Sequence, residues 1–192
     1  ALKGKCRFCG ARISLRYIAA EAALAFVFIL ALWRFGLTVE TLELCVLSCI
    51  LLALSLVDLE KYVIPDRFII AGIIWWAVLL PFRPYIIGSL ISGLAGGVII
   101  GGGILLLSFV FDKITGKEGM GGGDIKLFFM TGLFLGPLKG LLSLMIACVI
   151  GLVFAAFAKN RKIPFGPSIS LAVYITMLTG QVAVNWYLSL LG

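Results

Sequence analysis

Apolar runs long enough to cross a bilayer dominate this chain and decide its solvent. They lie near residues 17–36, 41–58, 67–82, 86–111, 139–158 and 167–191, against a hydrocarbon core of roughly 30 Å. In that core every backbone N–H and C=O must find a partner within the protein, which a helix provides inside one segment. A weaker run over 124–138 completes the set. The expected fold is all-α, a polytopic membrane helical bundle with about seven transmembrane helices. With 62% of its 192 residues apolar and 13% charged, the chain is excluded from the soluble globular class.

The formal charge of +7 then needs mapping before it is read as a binding surface. Alternating the connections from the N-terminus puts thirteen of the sixteen Lys and Arg on one side and leaves Arg34, Arg83 and Lys139 on the other. Cations collect on the cytoplasmic side for topological reasons, so the N-terminus and the loops near 58–67 and 112–126 are expected there. Nucleic-acid binding would want basic residues interleaved with aromatics on a folded face, and none is expected.

The run 124–138 is short. From Leu127 to Leu138 a helix covers only about 18 Å, so either the bilayer thins there or the segment 119–124 dips into it. Both put Asp124 at or below the membrane surface. In the fourth run Gly93, Gly97 and Gly101 recur at four-residue spacing, a pattern that lets another helix backbone approach closely. A phosphate-cradling loop would need a preceding strand, which the sequence does not offer.

The absence of histidine removes Ser-His triads and HExxH zinc sites, so aspartates carry the search for chemistry. Asp66, after Pro65 and before the third run, suits a helix N-cap. Asp112 and Glu118 stand among lysines and read as solvated interfacial charges. Asp58 is different: it ends an apolar run, where the negative pole of the helix dipole disfavours a carboxylate. An ionisable residue between apolar turns is a functional candidate. Asp124 follows a glycine-rich hexapeptide that strips side chains from the backbone in front of it, more glycine than a cap requires. Two membrane-edge aspartates on one face can share a proton, one activating water while the other polarises a carbonyl.

Two stretches, Val57-Asp58-Leu59-Glu60-Lys61-Tyr62-Val63-Ile64-Pro65-Asp66 and Gly116 to Leu127 with its Gly121-Gly122-Gly123-Asp124, resemble the type IV prepilin peptidases and their GxGD signature. Cys6-Arg7-Phe8-Cys9-Gly10, Ile13-Ser14-Leu15-Arg16-Tyr17 and Ile163-Pro164-Phe165-Gly166-Pro167 agree in order, so the resemblance covers nearly the whole chain. It implies an intramembrane aspartic endopeptidase of the bacterial inner membrane that removes the basic leader of prepilins or pseudopilins after a glycine, at the cytoplasmic face. It assigns Asp58 and Asp124 as the catalytic pair, makes Asp66 a supporting residue, and gives Gly121 and Gly123 the shaping of the turn that carries Asp124.

Residues 1–16 read as the remnant of a cytoplasmic CxxC region and 17–192 as the transmembrane peptidase domain. Full family members carry two CxxC pairs, associated with zinc and with N-methylation. Here Cys6 and Cys9 supply two of four thiolates, a possible incomplete zinc site. No cofactor is expected for peptidase activity, and S-adenosylmethionine only where the intact protein is also a methyltransferase. Cys45, Cys49 and Cys148, inside apolar runs, read as small hydrophobic residues. The rival reading is a proton-coupled small transporter using the same aspartates, which would want two broken helices in matching positions. The sequence offers one interrupted span.

Overall fold

A computed structural model describes residues 14–116, 119–157 and 164–191, and among these every regular element is helical. In order they are α1 (Leu15–Phe35), α2 (Val39–Lys61), α3 (Asp66–Leu79), α4 (Ile86–Gly97), α5 (Gly103–Thr115), α6 (Gly122–Phe157) and α7 (Gly166–Leu191). A 3-10 turn at Leu80–Phe82 follows α3, and a π turn at Val98–Gly102 joins α4 to α5 into one span. Ser14 and Thr38 cap α1 and α2, their side chains accepting from Arg16 N and Thr41 N. The multi-pass bundle expected from the apolar runs is what forms. Five stretches of the described residues are long and apolar enough to span a bilayer: α1, α2, Ile86–Thr115, Gly122–Ala156 and Gly166–Tyr187.

The stretch from Gly122 is not one straight rod. Gly136 has φ 71° and ψ −177°, a conformation open to glycine, and Pro137 begins a new helix after it. Phe128 of the first limb packs against Phe165 with the rings tilted by 52° and 6.2 Å between centroids, and Gly151 of the second limb also meets Phe165. A straight helix would separate Phe128 from Gly151 by about 35 Å, so the limbs run antiparallel as a hairpin. The weak fifth run and the sixth are these two limbs, with the break two residues earlier than the sequence placed it.

α2 is the axis of the core. Leu44, Leu47, Leu51 and Leu54 are fully buried, a stripe at three- and four-residue spacing that continues through Ser55 to Asp58. Ser55 Oγ donates to Ser170 Oγ at 2.8 Å and Tyr174 OH donates to Ser48 O at 3.1 Å, tying α2 to α7. The outward faces stay apolar, as Ile99, Phe109, Leu152 and Val182 illustrate, which suits lipid as solvent.

The glycine face of α4 packs on the first limb of α6. A Cβ on Gly96 would run into Gly132 O and come within 2.6 Å of Gly136 Cα, and one on Gly101 would lie 2.6 Å from Phe129 Cβ. Gly96 and Gly132 approach each other more closely than the expected Gly93, Gly97 and Gly101 set requires. Because the obstacles at Gly96 are backbone atoms, Gly96→Leu is expected to destabilise the bundle by about 1–3 kcal/mol. Thermal unfolding in detergent checks this, with Gly102→Ala as control, since nothing lies within 4 Å of a Cβ there.

Candidate active site

Asp58 stands in the last turn of α2, where the buried stripe carries it into the bundle with 4% of its surface exposed. Its own helix dipole opposes a carboxylate at that end, and the fold compensates from another element. Oδ2 accepts a hydrogen bond from Gly166 N at 2.8 Å. Gly166 opens α7, so the carboxylate faces the positive pole of a second helix. Only glycine fits: a Cβ there would sit 2.7 Å from Asp58 Oδ2. The Pro164-Phe165-Gly166-Pro167 segment thus has two tasks, Gly166 holding Asp58 and Phe165 filling the space between Phe128 and Gly151. Sequence reasoning gave Gly166 no role. A glycine just before a proline at a helix start, Gly166-Pro167, was the available signal.

After Asp58 the chain turns sharply. Tyr62, at φ 54°, closes α2 with its N–H donating to Asp58 O at 2.8 Å, and Ile64 is buried beyond it. A Cβ on Gly123 would lie 2.9 Å from Ile64 Cβ, so glycine at 123 lets the loop after Asp58 close on the turn before Asp124. Gly121 is tight against Asp124, whose Oδ2 would be 3.2 Å from a Cβ there, whereas Gly122 has nothing within 4 Å. Of the three glycines, the one at 123 is thus the most closely packed and the one at 122 the least.

Asp124 lies in the first turn of α6, half-buried, where the helix dipole favours a carboxylate. It is not an N-cap, since the helix begins at Gly122. Among the described residues no donor holds its carboxylate. The close approach of Gly123 to Ile64 brings two acids 66 positions apart to one end of the bundle, where the charge of Asp58 acts on Asp124. Arg34, Arg83 and Lys139 belong to the opposite end, where Arg34 Nε donates to Leu178 O and Arg83 and Lys139 line one cavity.

Asp66 is not the cap expected of it. Pro65 holds the N-cap position, no side chain caps the helix, and Asp66 is its first residue. Its carboxylate instead accepts from Lys126 Nζ at 2.7 Å, both side chains largely exposed. An exposed pair of this kind contributes at most about 1 kcal/mol, so Asp66→Asn is expected to leave both melting temperature and turnover close to wild type. Complete loss of turnover would move Asp66 into the catalytic set. Asp112 likewise does more than face solvent: Oδ1 accepts from Gly119 N at 2.6 Å and steadies the approach to the glycine turn.

Cys6, Cys9 and Glu118 lie outside the described residues. Among those described, no group of three or more His, Cys, Asp and Glu residues is placed to hold a metal ion, and Cys45, Cys49 and Cys148 are free thiols.

Comparison with known proteins bears on this geometry. Residues 45–156 match the type IV leader peptidase family, and residues 1–35 match the bacterial peptidase A24 N-terminal domain. The chain is 34% identical over 206 residues to the prepilin leader peptidase/N-methyltransferase of Pseudomonas putida, covering 100% of this chain and 68% of that one. It is 33% identical over 199 residues to the protein of the same description from Pseudomonas aeruginosa, with 100% and 68% covered. With that from Neisseria gonorrhoeae it shares 31% over 194 residues, with 98% and 67% covered. The chain therefore spans about two thirds of the length of these relatives. No solved structure matches it.

Proposed function

Because the chain belongs to the type IV leader peptidase family and is a multi-pass membrane peptidase, we propose that Asp58 and Asp124 form its catalytic pair. The substrates are type IV prepilins or pseudopilins, whose basic leaders are cut after a glycine at the cytoplasmic membrane face. What supports this most is that the loop after Asp58 and the turn before Asp124 close on each other at Ile64 and Gly123, which puts both aspartates at one end of the bundle, Asp58 buried on a helix N-terminus.

The pair holds one proton, because a second negative charge in so dry a place is costly. The ionised member takes a proton from water as the water oxygen bonds to the scissile carbonyl carbon, and the protonated member donates to the carbonyl oxygen. The tetrahedral carbon then collapses, the C–N bond breaks, and the proton taken from water passes to the departing amine. The hydroxyl formed from the carbonyl returns its proton to the second aspartate, so that the pair again holds one proton, and the carboxylic acid formed ionises in water. The new N-terminus belongs to the mature pilin and the new carboxylate to the leader glycine. The titration belongs to the pair and not to either residue alone. Gly166 N–H fixes one oxygen of Asp58, which leaves its other oxygen as the reactive one, and helix α6 fixes Asp124 by its backbone.

Orientation follows from the charge sorting. Single cysteines introduced in the loops at 59–66 and 112–123 are expected to label from the cytoplasmic side, and those at 37–40 and 83–85 from outside. Labelling of 112–123 from outside would reverse the proposed face.

The function is tested by incubating the purified chain with a prepilin carrying a basic, glycine-terminated leader. Sequencing of the product is expected to give a new N-terminus immediately after that glycine. Cleavage elsewhere, or no cleavage of any prepilin, would contradict the assignment.

A further inference from the structure

The end of the bundle opposite the aspartates holds a cavity of about 540 Å³ that peptide hydrolysis leaves unused. Arg83, Tyr85, Ser92, Lys139, Gln181 and Asn185 line it, drawn from the α3–α4 connection, α4, the turn at Gly136 and the outer part of α7. Two of these are cations at the membrane end that cations usually avoid. Arg83 Nη2 donates to Glu43 at 2.7 Å, and Glu43 is only 5% exposed. The guanidinium has further donors to offer.

Lys139 is the unexplained member. It is half-buried, and a Cβ on Gly180 would lie 3.6 Å from its Cγ, so its stem is packed. Among the described residues no carboxylate pairs with its ammonium. It stands in the first turn of the second limb of α6, where the dipole of that limb disfavours a cation. Glu43 is ion-paired with Arg83 and acts on Lys139 only at longer range, and Glu40 lines the neighbouring cavity that both cations also line. Among the described residues the ammonium of Lys139 therefore stands outside any salt bridge, beside a helix N-terminus, itself an anion-attracting feature. Gln181 Nε2 donates to Asn185 Oδ1 at 3.0 Å, which leaves amide donors available at the rim, and Tyr85 and Ser92 bring hydroxyls.

Arginine, lysine, a helix N-terminus and amide donors around one cleft, with Glu43 and Glu40 nearby to disfavour a multiply charged ligand, suit an oxyanion with several oxygens and low charge. Next to the lining residues, Ile87, Val182 and Trp186 present apolar side chains to the exterior, from 62% to 73% exposed, which would suit acyl chains. We propose that this cavity binds the phosphodiester headgroup of an anionic phospholipid, with Lys139 and Arg83 on phosphate oxygens and Gln181 and Asn185 on the hydroxyls of the headgroup.

The test is thermal unfolding of the purified chain in neutral detergent with added phosphatidylglycerol, phosphatidylcholine or inorganic phosphate. Phosphatidylglycerol is expected to raise the melting temperature by about 2–4 °C, the other two much less, and Lys139→Gln is expected to lose that difference. Equal protection by inorganic phosphate would assign the cavity to the free anion and overturn the lipid. Equal protection of wild type and Lys139→Gln by phosphatidylglycerol, or none of the wild type, would also overturn the proposal. Should Lys139→Gln fail to fold, native mass spectrometry of the wild type from mixed vesicles decides: retained phosphatidylglycerol in preference to phosphatidylcholine supports the site, and no preference contradicts it.

Discussion

Asp58→Asn and Asp124→Asn are each expected to lower leader cleavage by about 10²–10⁴-fold, the range that loss of a positioned acid or base produces, while the protein still inserts in the membrane. The folding half of this expectation is specific. Asp58 accepts a hydrogen bond from Gly166 N at 2.8 Å, and an asparagine Oδ1 can accept the same bond, so the seat of α7 survives the change. Asp124 has no such anchoring bond among the described residues, and its backbone is fixed by the first turn of α6. What both variants lose is a group that can alternate between proton donor and proton acceptor. Near-normal turnover in either purified variant would end the assignment of that residue.

Gly166→Ala and Gly123→Ala are expected to come next in size. A Cβ at 166 would be 2.7 Å from Asp58 Oδ2 and 3.3 Å from its Cγ, so the carboxylate or the start of α7 must move. A Cβ at 123 would press on Ile64 Cβ at 2.9 Å and drive apart the two segments that carry the acids. A displacement of about 1 Å at a reacting group costs on the order of 10²-fold in rate, so each variant is expected to fall in that range with a modest loss of stability. Gly122→Ala is the internal control, because the space beside it is open. Rate measurements on the three purified variants check the ordering. If Gly122→Ala were as impaired as Gly123→Ala, glycine content and not the close approach to Ile64 would govern the turn.

Asp58 stands out in the sequence as a candidate because a carboxylate at the end of an apolar run contradicts simple helix electrostatics, and Asp124 because four glycines exceed what a cap needs. The device that reconciles Asp58 with its position was not legible. Gly166 acts through a backbone N–H on a side chain 108 residues away, and a backbone donor leaves no mark of its own in residue types. Asp66 shows the opposite error: the Pro65-Asp66 pattern fitted a cap, but Pro65 takes the cap position and Asp66 turns to Lys126. The apolar runs located the five stretches long enough to span, including the short limb before Gly136, because length and hydropathy are summed properties; the run at 67–82 forms the 14-residue α3, which is not among those five. The exact reversal at Gly136 rests on one backbone angle, and the close approach of Gly96 to Gly132 needs two helices in register, which periodicity within one run cannot supply.

That Asp58 and Asp124 form one pair is the claim on which the proposed chemistry depends, and cross-linking tests it most directly. In a chain whose five native cysteines are replaced by alanine, Asp58→Cys with Asp124→Cys is treated with a short bis-methanethiosulfonate, which joins two thiols by displacing two sulfinates, and its mass is measured. The expected result is an intramolecular link formed as readily as in the control pair Asp66→Cys with Lys126→Cys, whose native side chains meet at 2.7 Å. A control pair that links while the 58–124 pair stays unlinked would contradict the account.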